Sequence, residues 1–415
     1  MSAMTANFID LSPRDIRRWL ATLWLIVFFM PAIAAPIQDD WQGVGRVVAI
    51  GDVHGDYDNY MAVLKEAGVI NRRGKWVAGE THLVQVGDIP DRGPDTLKII
   101  QHLQKLEKQA KKAGGYVHLL IGNHEYMNIT GDLRYVHPGE YEAFETRNSK
   151  RIRDNYYAFV VQTLEQQRET LSADGQDVSH LPVIDEQFKK DWYAEHPPGF
   201  VEHRLAWQPG GELFEWVAVH NTVIRINDTL FLHGGLSAEL LPRSLTDINE
   251  QIRAEINREP YEGEALGTAD FGPLWYRGLA RGDELAESPA LEAVLTHYGA
   301  SRVVLGHTPD LNVITPRFGG QVVIIDTGMS AYYGGHRASL LMENGVITAR
   351  HGKTQQPVPN QAEGVIPYFS SLATLLPKNP RLAAHLETLQ TTAAPADSES
   401  LSATDPAGQT SESGR

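Results

Sequence analysis

Five short segments of this chain carry side chains that bind cations or move protons, and each follows an apolar run. In Gly51-Asp52-Val53-His54-Gly55, a carboxylate and an imidazole two residues apart on a turn can point at one cation, while the glycines relieve backbone crowding. Gly87-Asp88-Ile89-Pro90-Asp91-Arg92-Gly93 sets two carboxylates and a guanidinium behind a strand, a pattern that serves a metal and an anion or a salt-bridged turn. Gly122-Asn123-His124-Glu125 follows a third apolar run. His233 in Phe231-Leu232-His233-Gly234-Gly235-Leu236-Ser237 and His307 in Val304-Leu305-Gly306-His307-Thr308 stand at two more strand ends. Open α/β sheets place their ligands at strand ends. The chain has no cysteine, so disulfides, thiolate zinc sites and cysteine nucleophiles are excluded, and any metal must be held by His, Asp, Glu or Asn.

The elements that must position these residues alternate. Val47-Val48-Ala49-Ile50 predicts a strand, and Tyr60, Val63, Leu64 and Ala67, on one face, predict the helix after it. The unit recurs with a strand over 82–86, a helix marked by Leu97, Ile100, Leu103 and Leu106 and stopped at Gly114-Gly115, and a strand over 116–121. Strands joined by helices imply a largely parallel sheet. Further strands are expected over 216–226, 229–232, 302–305, 322–325, 338–342 and 346–349. Several are separated by turns too short for a helix, so a second sheet with antiparallel pairs is expected. Residues 131–215 interrupt the pattern with Tyr141, Phe144, Tyr156, Tyr157, Phe159 and Trp192, at mostly helical spacing up to about Leu171. They read as an insertion covering one face of the core, its aromatic residues serving as packing.

In this order the five motifs resemble the phosphoprotein phosphatase branch of the calcineurin-like metallophosphoesterases, over about 47–342. Gly131-Asp132-Leu133-Arg134-Tyr135-Val136, Pro209-Gly210-Gly211-Glu212-Leu213 and Pro273-Leu274-Trp275-Tyr276-Arg277-Gly278 resemble the bacterial Shewanella-like protein phosphatases. The resemblance implies an α/β fold: a four-layer α/β/β/α sandwich of two mixed sheets flanked by helices, with a mostly helical insertion. It implies two divalent metal ions, manganese first, with iron or zinc as alternatives. Asp52, His54 and Asp88 would hold one ion, and Asp88 would bridge to the other, completed by Asn123, His233 and His307. A metal-bridging hydroxide would attack phosphorus directly, with no phosphoenzyme. His124 resembles the general acid, oriented by Asp91; Arg92, Arg277 and Asn123 would bind the phosphoryl group, with Arg134 and Arg337 as alternative clamps. The stretch around Arg277 departs from that of eukaryotic Ser/Thr phosphatases. Glu125 is expected to bond its loop, and His220 and His336 to be structural. The implied substrate is a phosphorylated protein or small phosphomonoester, phosphotyrosine favoured over phosphoserine and phosphothreonine. Dinucleoside polyphosphate hydrolysis is the alternative, because that neighbouring family shares the Asp-x-His and Gly-Asn-His-Glu motifs. A catalytically silent periplasmic binding protein is a further one, against which the complete ligand set stands.

The whole chain, 415 residues with 42% hydrophobic and 21% charged, has the composition of a globular protein. Its 37 Lys plus Arg against 52 Asp plus Glu give a net charge of −15, which repels phosphate backbones and argues against nucleic-acid partners. Arg14, Arg17 and Arg18 precede an apolar run over 19–30, and Ala32-Ile33-Ala34 follows. Residues 1–34 therefore read as a cleaved secretory signal. The run is shorter than the ~20 residues of a spanning helix, so no stable membrane insertion is expected. The expected location in a bacterium is the periplasm. Residues 35–390 read as the catalytic domain, and 391–415, poor in apolar residues, as a disordered tail.

Overall fold

The computed structural model describes residues 37–393, so the signal reading at 1–34 and most of the tail reading lie outside the described residues. The strands are β1 (Asp40–Trp41), β2 (Arg46–Ile50), β3 (His82–Gln85), β4 (Tyr116–Leu119), β5 (Val223–Ile226), β6 (Thr229–Leu232), β7 (Arg302–Leu305), β8 (Thr315–Arg317), β9 (Val322–Ile324), β10 (Ala338–Glu343), β11 (Val346–His351) and β12 (Thr354–Pro357). They form two six-stranded sheets, ordered β12-β11-β10-β2-β3-β4 and β1-β5-β6-β7-β9-β8. Both sheets are mixed. β2, β3 and β4 run parallel to one another, as do β6, β7 and β9, while β10 pairs antiparallel with β2 and β5 with β6.

Alternation along the strands builds the layers. Val47 and Ala49 of β2 point inward, into one cluster with Phe231 and Val304 of the facing sheet. Val48 and Ile50 point outward to helices α1 (Tyr57–Glu66) and α2 (Thr96–Lys112), whose buried stripes include Val63, Leu64, Ile100 and Leu103. The first of these helices is capped by Asp56, which accepts a hydrogen bond from the Asn59 amide at 2.9 Å. After β4 come α3 (Asn123–Thr130) and the insertion helices α4 (Pro138–Ala143), α5 (Ser149–Ala173), α6 (Glu186–Glu195), α7 (Phe200–Ala206) and α8 (Glu212–Val217). The outer face of the other sheet is covered by α9 (Leu245–Asn257) and α11 (Glu284–His297), with the short α10 (Gly278–Arg281) between them, through Ile248, Ile252, Leu291 and Val294. Helices α12 (Val365–Leu375) and α13 (Pro380–Ala393) close the sandwich, burying Phe369, Leu372 and Leu382 against its inner layer.

Two strand expectations change. The strand expected over 216–226 is confined to Val223–Ile226, because Leu213, Phe214 and Val217 share a buried face at one-turn spacing and make the preceding segment helical. The strands near 338 and 346 extend the β2 sheet instead of forming the second one, so antiparallel pairs occur in both. The insertion holds five helices and no strand. The last helix takes in residues 391–393 of the segment read as tail. Among the described residues, no helix is long and apolar enough to cross a membrane.

Candidate metal centre

Parallel strands deliver their carboxyl ends to one edge, and here six such ends converge. Asp52 and His54 follow β2; Asp88 and Asp91 follow β3; Asn123 and His124 open α3 just beyond β4. His233 follows β6, His307 follows β7, and Asp326 follows β9. The two sheets are stitched together at this edge by the His307 amide, which donates to both carboxylate oxygens of Asp52 at 3.1 Å. The loops turn sharply. Five of the ten non-glycine residues with positive φ, among the described residues, are His54, Asp88, Asp91, Arg92 and His307. Such conformations cost of order 1–3 kcal/mol each and persist where surrounding contacts impose them.

The donor set fits cations. His233 is fully buried, and its Nδ1 lies 3.0 Å from the Val86 carbonyl, so Nδ1 carries the proton and the Nε2 lone pair faces inward. That lone pair meets Asn123 Oδ1 at 2.8 Å, His307 Nδ1 at 3.0 Å and Asp88 Oδ2 at 3.3 Å. Such spacing suits neighbouring ligands on one ion with bonds of roughly 2.0–2.2 Å. His54 repeats the arrangement: Nδ1 donates to the Pro90 carbonyl at 3.1 Å, and Nε2 faces Asp88 Oδ2 at 3.7 Å and Asp52 Oδ2 at 3.9 Å. Burial, aided by His124, pushes His54 down to about 3, so its ring is neutral and its inward nitrogen is a ligand atom. Burial likewise holds His307 well below its ordinary value. Asp88 belongs to both groups of converging ligand atoms, one with His54 and His124 and the other with His233 and His307.

The carboxylates are crowded. Burial, Asp326 and Asp88 raise Asp52 well above the usual carboxylate range, and burial lifts Asp326 to about 6. A cation among them would relieve this repulsion. Asp326 was not singled out in the sequence. The only signal was its place directly after an apolar strand run, where the other site residues also sit. Glu125 is buried but turned away, accepting from the amides of Gly122, Asp88 and Ile89 at 2.7–2.9 Å, which matches the loop-bonding role expected of it.

His124 differs from the other imidazoles. Its Nδ1 lies 2.5 Å from Asp91 Oδ2, and its Nε2 faces Asp88 Oδ2 at 3.7 Å. Burial disfavours its charged form, yet the carboxylates of Asp88 and Asp91 outweigh this and raise its pKa. Asp91 is itself held by Asn128 Nδ2 at 2.9 Å.

At the rim, the Arg92 guanidinium lies 3.8 Å over the Tyr135 ring and 4.9 Å from the Tyr332 ring, with no carboxylate within ion-pairing distance among the described residues. Arg277 is tethered through Nη1 to the His307 carbonyl at 2.7 Å and to Thr308 Oγ1 at 2.8 Å. Both keep donors free for an anion. The alternatives are instead paired with carboxylates: Arg134 with Asp132 through Nε and Nη2, and Arg337 with Glu66 at 3.5 Å. His220 bonds Glu107 at 3.1 Å, while the His336 backbone braces the loop through the Gly328 carbonyl, so neither joins the converging ligands.

The family profile of calcineurin-like phosphoesterases matches residues 45–311. An uncharacterized protein of Schizosaccharomyces pombe is 35% identical, over 71% of this chain and 76% of its own. Shewanella-like protein phosphatase 2 of Arabidopsis thaliana is 32% identical, over 71% and 74%. Among solved structures, a cold-active protein-tyrosine phosphatase of a psychrophilic Shewanella species superposes with a TM-score of 0.57 at 28% identity, covering 78% of this chain and 83% of that one. With the profile spanning more than half of its length and these phosphatases as relatives, the chain belongs to the calcineurin-like phosphoesterase family and is a metal-dependent phosphatase.

Proposed function

We infer that the protein is a dinuclear phosphomonoesterase acting on phosphoproteins, with phosphotyrosine favoured over phosphoserine and phosphothreonine. The observation that carries this is Asp88 shared between two sets of inward-facing ligand atoms, with Arg92 and Arg277 beside it and free of carboxylate partners. Asp52, His54 and Asp88 would hold one ion; Asp88, Asn123, His233 and His307 the other. Nitrogen and oxygen ligands without sulfur suit manganese, with iron or zinc as substitutes. When bound, the two ions supply an activated water as nucleophile and neutralise charge on the phosphoryl oxygens.

The chain's own groups do the rest. Arg92, stacked on Tyr135, and Arg277, tethered to the His307 loop, receive the phosphoryl oxygens through their unused N–H groups, and Asn123 helps to bind the group. His124, whose charged form its carboxylate neighbours favour, gives its Nε2 proton to the leaving oxygen, while Asp91 fixes the ring through Nδ1. The tyrosine preference draws on the similarity to the Shewanella protein-tyrosine phosphatase and on the aromatic wall that Tyr135 and the largely exposed Tyr332 set beside Arg92. Export to a periplasm is part of the same reading and draws on the 1–34 segment. Amino-terminal sequencing of the mature chain tests it.

The central test pairs elemental analysis with turnover of p-nitrophenyl phosphate, phosphotyrosine peptide, phosphoserine peptide and diadenosine tetraphosphate. Two metals per chain, loss of activity on chelation, recovery with manganese and the order phosphotyrosine over phosphoserine are expected. Preferred cleavage of diadenosine tetraphosphate, or turnover that survives chelation, would overturn the reading.

A further inference from the structure

The turn that carries Asp91 and Arg92 is strained at both residues, with φ values of 72° and 66°. A turn in that conformation reverts unless something outside it holds the backbone. Both backbone amides are held by the insertion: Arg92 N donates to the Tyr135 carbonyl at 3.0 Å, and Asp91 N donates to Glu140 Oε1 at 2.8 Å. Glu140 lies in α4, is 2% exposed, and has no basic partner nearer than His203 Nε2, 3.7 Å from its other oxygen. His203, on α7, is fully buried in an aromatic box made by Tyr141 and Phe144. The next residue, Arg204, donates to the carbonyl of Asn128, whose side chain holds Asp91 Oδ1. Helix α4 also sits hard against the turn. A Cβ added at Gly139 would lie 2.5 Å from Pro94 Cβ.

Both ends of the turn point at chemistry, Asp91 at His124 and Arg92 at the phosphoryl position. We propose that Glu140 is a positioning residue, and that through its bond to the Asp91 amide the insertion sets the geometry of the proton donor and the phosphate clamp together. This rests on the reading of His124 as proton donor. Glu140 acts on the turn as an acceptor, through Oε1 at 2.8 Å from the Asp91 amide, and glutamine carries a carbonyl oxygen at the same reach. Burial and Asp91 raise the Glu140 pKa, which favours the uncharged form that glutamine imitates.

The test uses leaving-group dependence, which a merely structural role would not move. A misplaced acid hurts esters with poor leaving groups most, because they need the proton. In the full-length, metal-loaded enzyme, with metal content checked for each variant, kcat is measured on p-nitrophenyl phosphate and on phenyl phosphate. Glu140→Ala is expected to lower phenyl phosphate turnover about tenfold more than p-nitrophenyl phosphate turnover, and to raise KM for both, because Arg92 moves with Asp91. Glu140→Asp keeps the acid but withdraws its oxygen, so it is expected to act alike and carries the test if the alanine variant does not fold. Glu140→Gln is expected to return the ratio towards the parent's. His124→Asn runs in parallel. If it changes the ratio while neither Glu140→Ala nor Glu140→Asp does, the positioning role is wrong. If it leaves the ratio unchanged, the proton-donor reading fails instead, and the proposal with it.

Discussion

At the scale of single residues, the site works by choosing which nitrogen of each histidine carries a proton. Backbone carbonyls at Val86 and Pro90 take Nδ1–H of His233 and His54, whereas a carboxylate takes that of His124, and under the proposed function this one difference would separate ligands from the proton donor. The same logic gives a pH prediction outside the metal centre. Burial, with Arg204 adding, pushes His203 from 6.5 to about 3. Between those values the unfolded chain binds the proton and the folded chain does not, so His203 makes stability rise with pH across that window and costs stability as the solution is acidified. His203→Phe, which suits the aromatic box, is expected to flatten the fall of Tm over that range. An unchanged slope would show that the ring is not held neutral. Of the six proposed ligand residues, Asp52, His54, Asp88 and Asn123 were legible in the sequence because each shares a glycine-bearing strand end with a second chemical residue, whereas His233 and His307 were legible only through the order of the five motifs. Asp326 and Glu140 were not, since a lone acid after a strand, or within a charged helical stretch, looks like surface until the fold buries it.

At the scale of elements, the parallel strands were readable as short apolar runs, since both of their faces are buried, and the first two helices from apolar residues recurring at 3.6. The segment ending in Trp216 and Val217 was not: its β-prone composition favoured a strand, and packing of Leu213 and Phe214 made it helical. Within the insertion, the docking of α7 on α4 depends on Gly199, whose φ is +90° and whose absent Cβ leaves room for the Tyr141 carbonyl. Gly199→Ala is expected to cost of order 1–3 kcal/mol. Hydrogen exchange should quicken in α4 and α7 and stay unchanged in β2 and β6. Uniform loss of protection, or none, would contradict a local dock.

At the scale of the whole molecule, ligand residues come from both sheets, so a bound cation ties one sheet to the other. A ligand present at a hundred times its Kd adds about 2.7 kcal/mol to the folded state. Chelation is therefore expected to lower Tm, and readdition of manganese to restore it in proportion to the logarithm of free metal. A Tm indifferent to chelator would mean the two sheets do not share an ion. The same placement has a consequence in time. Asp52 and His307 are bonded across 255 residues of chain. At the roughly 5–20 residues per second of protein synthesis, the first ligand waits on the order of 10–50 s for the last to be made. During that interval the early segment exposes Asp52, His54 and Asp88 without the partners that complete the centre. The full set of proposed ligands thus exists only once synthesis has passed His307, so metal capture by the complete centre is expected late in the making of the chain.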